Sequence, residues 1–515
     1  MNAPTSFDRV RKPVIAFCPV CHVDAPDRPL GAVSRLPGQL AEADGKVWLL
    51  RTCPDHGPVV SLYEEDASLL DYLEQWTAPT KPPTPDSPDN HDPVPAVYLQ
   101  GLGAGQIQHT CILLEDITER CNLNCPTCYA GSSPVLSGVA DIEDVLANVD
   151  RRLLLEGGPL DVLMISGGEP TLHPHLYPLI EQLLERNIVR VILNTNGLLV
   201  ARDDELLSFL ARHRSRLEVY LQFDGFEEAT YQFHRGADLR KLKQAAVDRL
   251  VAAGVFTTLT MTAARGVNDH EIGAVVGFAL NTPFIGGVAI QPVFGSGRSE
   301  RIDPLDRLTN TGVLNRLGPQ TGGVVTAHDL IALPCSHPHC ASVGYMVRTD
   351  SGDWTSIVRL LGSARLRDHL GLVGNCIAQP ELDVDLRVLV KESLHGLFSE
   401  RSSLTHPRIG DLFDVVLRRC DIGLSTLVRL AGRAVRDPEA LRKLVATRVK
   451  RITVKPFMDV NTMIEERLLQ CCVHVGTVGE TQQCVPFCAA QAWPALGRMK
   501  PAEAARRRQA SAPRT

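Results

Sequence analysis

Three cysteines stand close together in the segment Cys121-Asn-Leu-Asn-Cys125-Pro-Thr-Cys128-Tyr129. A cubane iron–sulfur cluster has four irons, each satisfied by a thiolate, so three cysteines leave one iron with an open coordination position. An open position is what a catalytic cluster needs. Cys125 and Cys128 by themselves would fit a thioredoxin-like pair or half of a zinc site, but the third thiol at Cys121 and the adjacent Tyr129 argue against both. The chain holds 15 cysteines. Reduced thiols grouped at 18/21/53, 111/121/125/128, 335/340/376 and 471/472/484/488, with Cys420 apart, read as metal ligands rather than disulfides.

The other groups imply further metal sites. Cys18 and Cys21 with Cys53 form a knuckle-like set that His56 completes as a Cys3His tetrahedral site for zinc or a rubredoxin-like iron. A haem attachment at Cys18-Pro-Val-Cys21-His22 is disfavoured by the partner cysteine thirty residues on. Cys335, Cys340, Cys376, Cys471, Cys472, Cys484 and Cys488 provide soft ligands for one or two auxiliary 4Fe-4S clusters, with zinc as the alternative. Cys111 is expected to be a buried small hydrophobe. Gly101-Leu-Gly-Ala-Gly-Gln106 lacks the strand–loop–helix setting of a dinucleotide loop and is set aside.

A second chemical element is Ser166-Gly167-Gly168-Glu169-Pro170, where two glycines let backbone approach closely and Glu169 supplies an anion. Asn194, Asn196, Gln222 and Asp224 also fall at the ends of apolar runs, where their other reading is as caps and turn formers.

These residues must be positioned by regular elements. CILLEDI, DVLMIS, VRVILNT, LEVYLQF, VFTTLTM and GGVAIQPV read as six strands, alternating with helical patterns over 141–156, 175–187, 203–213, 237–253 and 268–279. The alternation predicts an α/β fold: a partial parallel (β/α)6 barrel over 110–300 with its chemistry at the C-terminal strand ends. Before it lie a small metal-binding module over 1–77 and a proline-rich linker over 78–109. After it comes a mostly helical, cysteine-containing extension over 301–495, with one apolar face running from Ile409 to Val428, and a disordered tail over 496–515.

Composition excludes some partners. A net charge of −6 gives no general pull toward nucleic acid. The beginning of the chain lacks a signal-like apolar core, and no run is long enough to span a bilayer, so a cytoplasmic protein is expected. Residues 401–455 hold thirteen Lys/Arg against five Asp/Glu. A solvated helical face is preferred there to an anionic-ligand or membrane-surface patch.

The cysteine loop, the Gly-Gly-Glu-Pro turn and the polar strand ends resemble the radical S-adenosylmethionine (SAM) superfamily, with Tyr129 following the third cysteine where an aromatic usually precedes it. That resemblance implies that the open iron chelates SAM, that Glu169 receives its amino group, and that Tyr129, Gly167, Gly168, Pro170, Asn194, Asn196, Gln222 and Asp224 line the cofactor site. It further implies reductive cleavage to a 5′-deoxyadenosyl radical, abstraction of hydrogen from an unactivated C–H bond, and an electron donor such as ferredoxin or flavodoxin. Cys18-Pro-Val-Cys21, Cys53-Pro-Asp-His56, the His-Thr-Cys111 segment, Pro334-Cys335 to Cys340, Lys455-Pro-Phe-Met-Asp459 and Cys471-Cys472 also resemble archaeal tetraether lipid synthase and its bacterial relatives. This narrower likeness implies lipid chain coupling and peripheral membrane contact. The rivals are a peptide-modifying maturase and a non-catalytic iron–sulfur carrier or scaffold.

Overall fold

The structure, a computed structural model, describes residues 3–24, 35–76, 110–299, 302–368, 438–476 and 485–493. The proline-rich stretch 78–109, the Ile409–Val428 helical pattern, Cys376, Cys420, Cys484 and the tail lie outside them. The first strands, β1 (Arg9–Phe17), β2 (Arg35–Ala43), β3 (Lys46–Cys53) and β4 (Gly57–Glu64), pair antiparallel in chain order. Asp44 and Gly45 join β2 to β3, both with positive φ (54° and 71°), which is the two-residue hairpin geometry that Asp-Gly favours.

All six expected strands form, as β5 (Ile112–Thr118), β6 (Leu160–Gly167), β7 (Ile188–Thr195), β8 (Leu217–Gln222), β9 (Thr257–Ala263) and β10 (Ile285–Pro292). They lie parallel and side by side in chain order. Helices Ile142–Glu156, Leu176–Leu184, Asp204–Arg212, Arg240–Ala252 and Ile272–Asn281 occupy the expected segments. An unexpected one, Glu228–Arg235, is inserted after β8. The five expected helices each bury an apolar stripe, as Val145, Leu146 and Val149 do in the first.

Past residue 300 the chain extends this sheet. β11 (Ile331–Ala332), β12 (Ser342–Arg348), β13 (Trp354–Ser356), β14 (Val449–Val454), β15 (Val473–Val475) and β16 (Val485–Pro486) follow. β14 pairs parallel to β10 and β15 parallel to β5, so a late segment flanks each side of the six-stranded core. The sheet is curled into a half-barrel. Lys455, just beyond β14, reaches Tyr220 on β8 with Nζ 3.5 Å from the hydroxyl, passing over β10 and β9. On a flat sheet those strands would stand ~14 Å apart, beyond easy reach of two side chains.

The expectation of a solvated basic face fails at the described end of 401–455. Arg442, Lys450 and Arg451 are buried. Lys450 Nζ donates to the carbonyls of Thr282, Ile285 and Ala446, Arg442 donates to those of Arg214 and Gly254, and Arg451 faces Glu218. These cations lock the late strand and the helix before it onto the barrel, while Lys443 is exposed and the Arg448 side chain is 43% exposed. Among the described residues no helix is long and apolar enough to cross a membrane.

A second lock sits at the barrel mouth. Asp459 accepts from the Gly295 amide at 2.7 Å and pairs with Arg307 at 2.8 Å, both side chains almost fully buried. Asp459→Ala should destabilise the protein by ~3–5 kcal/mol, because it strands a buried guanidinium. A urea midpoint equal to that of the wild type would remove this lock from the account.

Candidate active site and metal centres

β5 runs directly into the cluster loop, and β6 fixes where that loop begins. The Gly168 amide donates to Thr118 O at 2.6 Å and the Glu169 amide to Arg120 O at 2.8 Å. A Cβ at Gly168 would lie 2.2 Å from the Arg120 oxygen, and one at Gly167 2.4 Å from that of Thr118. The two glycines are therefore required by the approach of one strand end to the next. From the other side Arg298 clamps the loop. Its Nε donates to Cys125 O, its NH2 to Ser132 O and its own amide to Cys128 O.

Glu169 is 1% exposed, and its carboxylate accepts from the Thr171 amide and hydroxyl, the Thr195 hydroxyl and the Asn196 amide. Pro170 opens a short turn right behind it. The Asn196 side chain donates to Asn122 Oδ1 at 2.6 Å and lies 3.9 Å from Cys121 Sγ. Asn194 donates to Ser166, and Tyr129 hydrogen-bonds the same serine while packing on Phe294 and Phe487. Gln222 bridges Asp224 and Lys243, and Lys243 also donates to Asn196 O at 2.6 Å. Asp224 is wholly buried and accepts from Nε and NH2 of Arg235, each at 2.7 Å. The expected cofactor residues thus gather at the C-terminal ends of β5 to β8.

The donor set suits an iron–sulfur cluster with one open iron. Burial pushes the Cys121 thiol up to about 12, with Glu169 and the other two cysteines adding to the shift, so ionisation there calls for a positive metal centre. Among the described residues three groups of ligand atoms fall within 4.8 Å of one another, and the 121/125/128 set is not among them. Thiolates bound to different irons of a cubane stand farther apart than those sharing one ion.

The N-terminal module has single-ion spacing. Cys21 Sγ lies 3.6 Å from Cys53 Sγ, and His56 Nδ1 lies 3.7, 3.3 and 3.5 Å from the sulfurs of Cys18, Cys21 and Cys53. A tetrahedron with ~2.3 Å metal–sulfur and ~2.0 Å metal–nitrogen bonds has edges of ~3.5–3.8 Å. Burial raises Cys21 to about 12, while Cys53, though buried, is drawn down to about 7 by hydrogen bonds from Asp55 and His56.

The late cysteines divide. Cys335 joins Cys111, 3.1 Å away, and Cys472, 3.9 Å away. Cys111 is buried as expected, yet it belongs to a thiol group: β15 beside β5 brings the residues preceding both strands together. Cys121 lies past the far end of β5, whose seven residues span ~23 Å. Cys340, Cys471 and Cys488 interact electrostatically with one another and adjoin the first group through Cys472, which acts on Cys471 and Cys340, and Arg467 lies beside Cys340 and Cys488. That guanidinium is fully buried, donates to Cys340 Sγ and Pro456 O, and lies over the Tyr63 ring. The buried Glu64 carboxylate interacts with it electrostatically, and an anionic metal–thiolate centre at Cys340 would be a second counter-ion.

Sequence reasoning missed Arg298, Arg235, Lys243 and Arg467. One signal was available: Lys243 shares a helix stripe with Ala246, Val247 and Leu250, an apolar face interrupted by a cation.

Comparisons with known proteins match two segments of the chain. Residues 116–279 match the Radical SAM superfamily model, and residues 11–65 match the HMPTM N-terminal zinc ribbon domain. A 7,8-dihydro-6-hydroxymethylpterin dimethyltransferase of Methanocaldococcus jannaschii is 25% identical over 93% of both chains. The subtilosin biosynthesis protein AlbA of Bacillus subtilis is 30% identical over 28% of this chain and 32% of its own. A solved radical SAM methyltransferase from Sphaerobacter thermophilus overlaps 60% of this chain and 80% of its own at 14% identity, with a TM-score of 0.30. The loop of Cys121, Cys125 and Cys128 and the Gly-Gly-Glu turn locked against it lie inside the matched segment, so the chain carries a radical SAM domain behind an N-terminal zinc ribbon domain.

Proposed function

We infer that the protein abstracts hydrogen from an unactivated C–H bond of a substrate held in the half-barrel. The observation carrying this reading is the joint between the two strand ends, which sets the Glu169 carboxylate beside the start of the three-cysteine loop. A 4Fe-4S cluster with SAM supplies one-electron cleavage and a 5′-deoxyadenosyl radical. Cys121, Cys125 and Cys128 would hold that cluster. Glu169, pinned by four donors, would orient the amino group of SAM, and Asn196 would position the loop from the opposite strand end. The electron comes from an external donor of ferredoxin or flavodoxin type.

The concave face supports a substrate with polar groups. Lys455 lies over the Tyr220 ring, and Thr260, in register with Gln222 on one side and Ala289 on the other, has a buried hydroxyl with no hydrogen-bond partner. A dihydropterin, the compound named for the full-length relative, is a substrate of that kind. Lipid chain coupling rests on the motif resemblance alone. A maturase role has as its support the partial likeness, over 28% of this chain, to the subtilosin biosynthesis protein AlbA. An auxiliary 4Fe-4S cluster would draw on Cys340, Cys471 and Cys488, while the close set Cys111, Cys335 and Cys472 has the spacing of ligands to a single ion, and zinc or a single iron would sit at Cys18, Cys21, Cys53 and His56.

Replacing Cys121, Cys125 and Cys128 together with Ala should leave a folded protein that lacks one cluster and forms no 5′-deoxyadenosine under dithionite. Normal product formation would end the proposal. Glu169→Ala should keep the cluster and weaken SAM binding by ~1.5–3 kcal/mol, the worth of a charged hydrogen bond; equal affinity would take Glu169 out of the cofactor site. In the full chain, Cys53→Ser should lower bound zinc, or non-cluster iron, by one equivalent. Unchanged metal content would exclude Cys53 as a ligand.

A further inference from the structure

Helix Glu228–Arg235 is packed end-on against the cluster loop. Thr127 Oγ1 meets His234 Nδ1 at 3.0 Å and donates to His234 O at 3.3 Å, and a Cβ at Gly236 would touch the ring of Pro126 at 3.7 Å. Arg235, the last residue of the helix, carries its guanidinium beside the Cys125 thiol, where Asp224 holds it bidentately and Thr262 contacts it at 3.0 Å. The pair is out of water, with side-chain exposures of 9% and 0%. Stability alone is a weak reason for such a pair, because desolvation cancels much of the attraction. Gln222 and the buried Lys243 tie it to the other strand ends, so its position relative to Cys125 is fixed.

We propose that the Arg235–Asp224 pair sets the reduction potential of the catalytic cluster: the Arg235 cation raises it through the Cys125 sulfur, and the Asp224 charge holds that effect in check. This rests on the radical SAM reading and assigns these two residues an electrostatic role within it. A cubane with three thiolates becomes more negative by one charge when it accepts an electron. A cation beside one of those sulfurs stabilises the reduced form more than the oxidised form. In a dry site that preference is weakly screened. Arg235 remains charged throughout, since its pKa is raised by Asp224 and Cys125 against the opposing effect of burial. The step is a single electron passing from the external donor to the cluster, with no proton required.

The two partners predict shifts of opposite sign. The full chain is reconstituted with iron and sulfide and titrated potentiometrically under EPR, following the component whose signal changes when SAM is added to a parallel sample. Arg235→Gln should move the midpoint to more negative potential at unchanged iron content. Asp224→Asn, which leaves the cation uncompensated, should move it to more positive potential. Arg235→Lys, keeping the charge without the fork, should fall between Arg235→Gln and the wild type. Unchanged midpoints, or shifts of the same sign in Arg235→Gln and Asp224→Asn, would overturn the proposal. So would loss of the cluster from both Arg235 variants, which would make Arg235 a structural brace of the loop. A wild-type chain with no SAM-responsive component would instead defeat the radical SAM reading itself, so the two failures are distinguishable.

Discussion

Two backbone hydrogen bonds between strand ends, Gly168 to Thr118 and Glu169 to Arg120, set the geometry on which the rest of the site depends. They bring the end of β6 so close to the end of β5 that no side chain fits at Gly168. That contact fixes where the cysteine loop leaves the sheet and, by the same stroke, where the Glu169 carboxylate stands. The neighbouring strands then complete the arrangement: β7 offers Thr195 and Asn196 to the carboxylate, and β8 offers Gln222 and Asp224 to the buried cations. The parallel sheet contributes function here through register, since residues at the same strand level meet at one end.

Buried positive charge is the second theme. Arg235 beside Cys125 and Arg467 beside Cys340 are both removed from water, and Arg467 donates to the Cys340 sulfur at 3.4 Å. An ordinary thiol gives little back for the desolvation of a guanidinium; a metal-bound thiolate gives much more. Lys243, pushed down to about 7 chiefly by burial and then by Arg235, shows how far the catalytic end is isolated from solvent. The aromatic group of Tyr129, Phe294, Phe457 and Phe487 adds an apolar wall and ties the late cysteine segment to the cluster loop.

Much of this was legible in the sequence because it is local. The six core strands announced themselves as β-branched runs between helical patterns, and the three-cysteine loop and Gly-Gly-Glu turn declared their chemistry by spacing. What stayed hidden depends on distant pairing. Val449–Val454, with Lys450 and Arg451 inside it, reads as a charged surface, yet it becomes a buried strand because backbone carbonyls and Glu218 receive its cations. Cys111 reads as packing, and only the pairing of β15 with β5 puts Cys472 beside it. Arg298 looks like a loop residue until the Cys125, Cys128 and Ser132 carbonyls are seen to converge on it.

The central claim is that the three-cysteine loop holds a cluster whose open iron binds SAM directly. Pulsed ENDOR on the reduced protein, with SAM labelled at its amino nitrogen and carboxylate oxygens, addresses that contact without needing the substrate. The account predicts hyperfine coupling of both labels to a cluster that is lost when Cys121, Cys125 and Cys128 are replaced by Ala. A loaded and reduced cluster at this loop that shows no coupling to either label would contradict it.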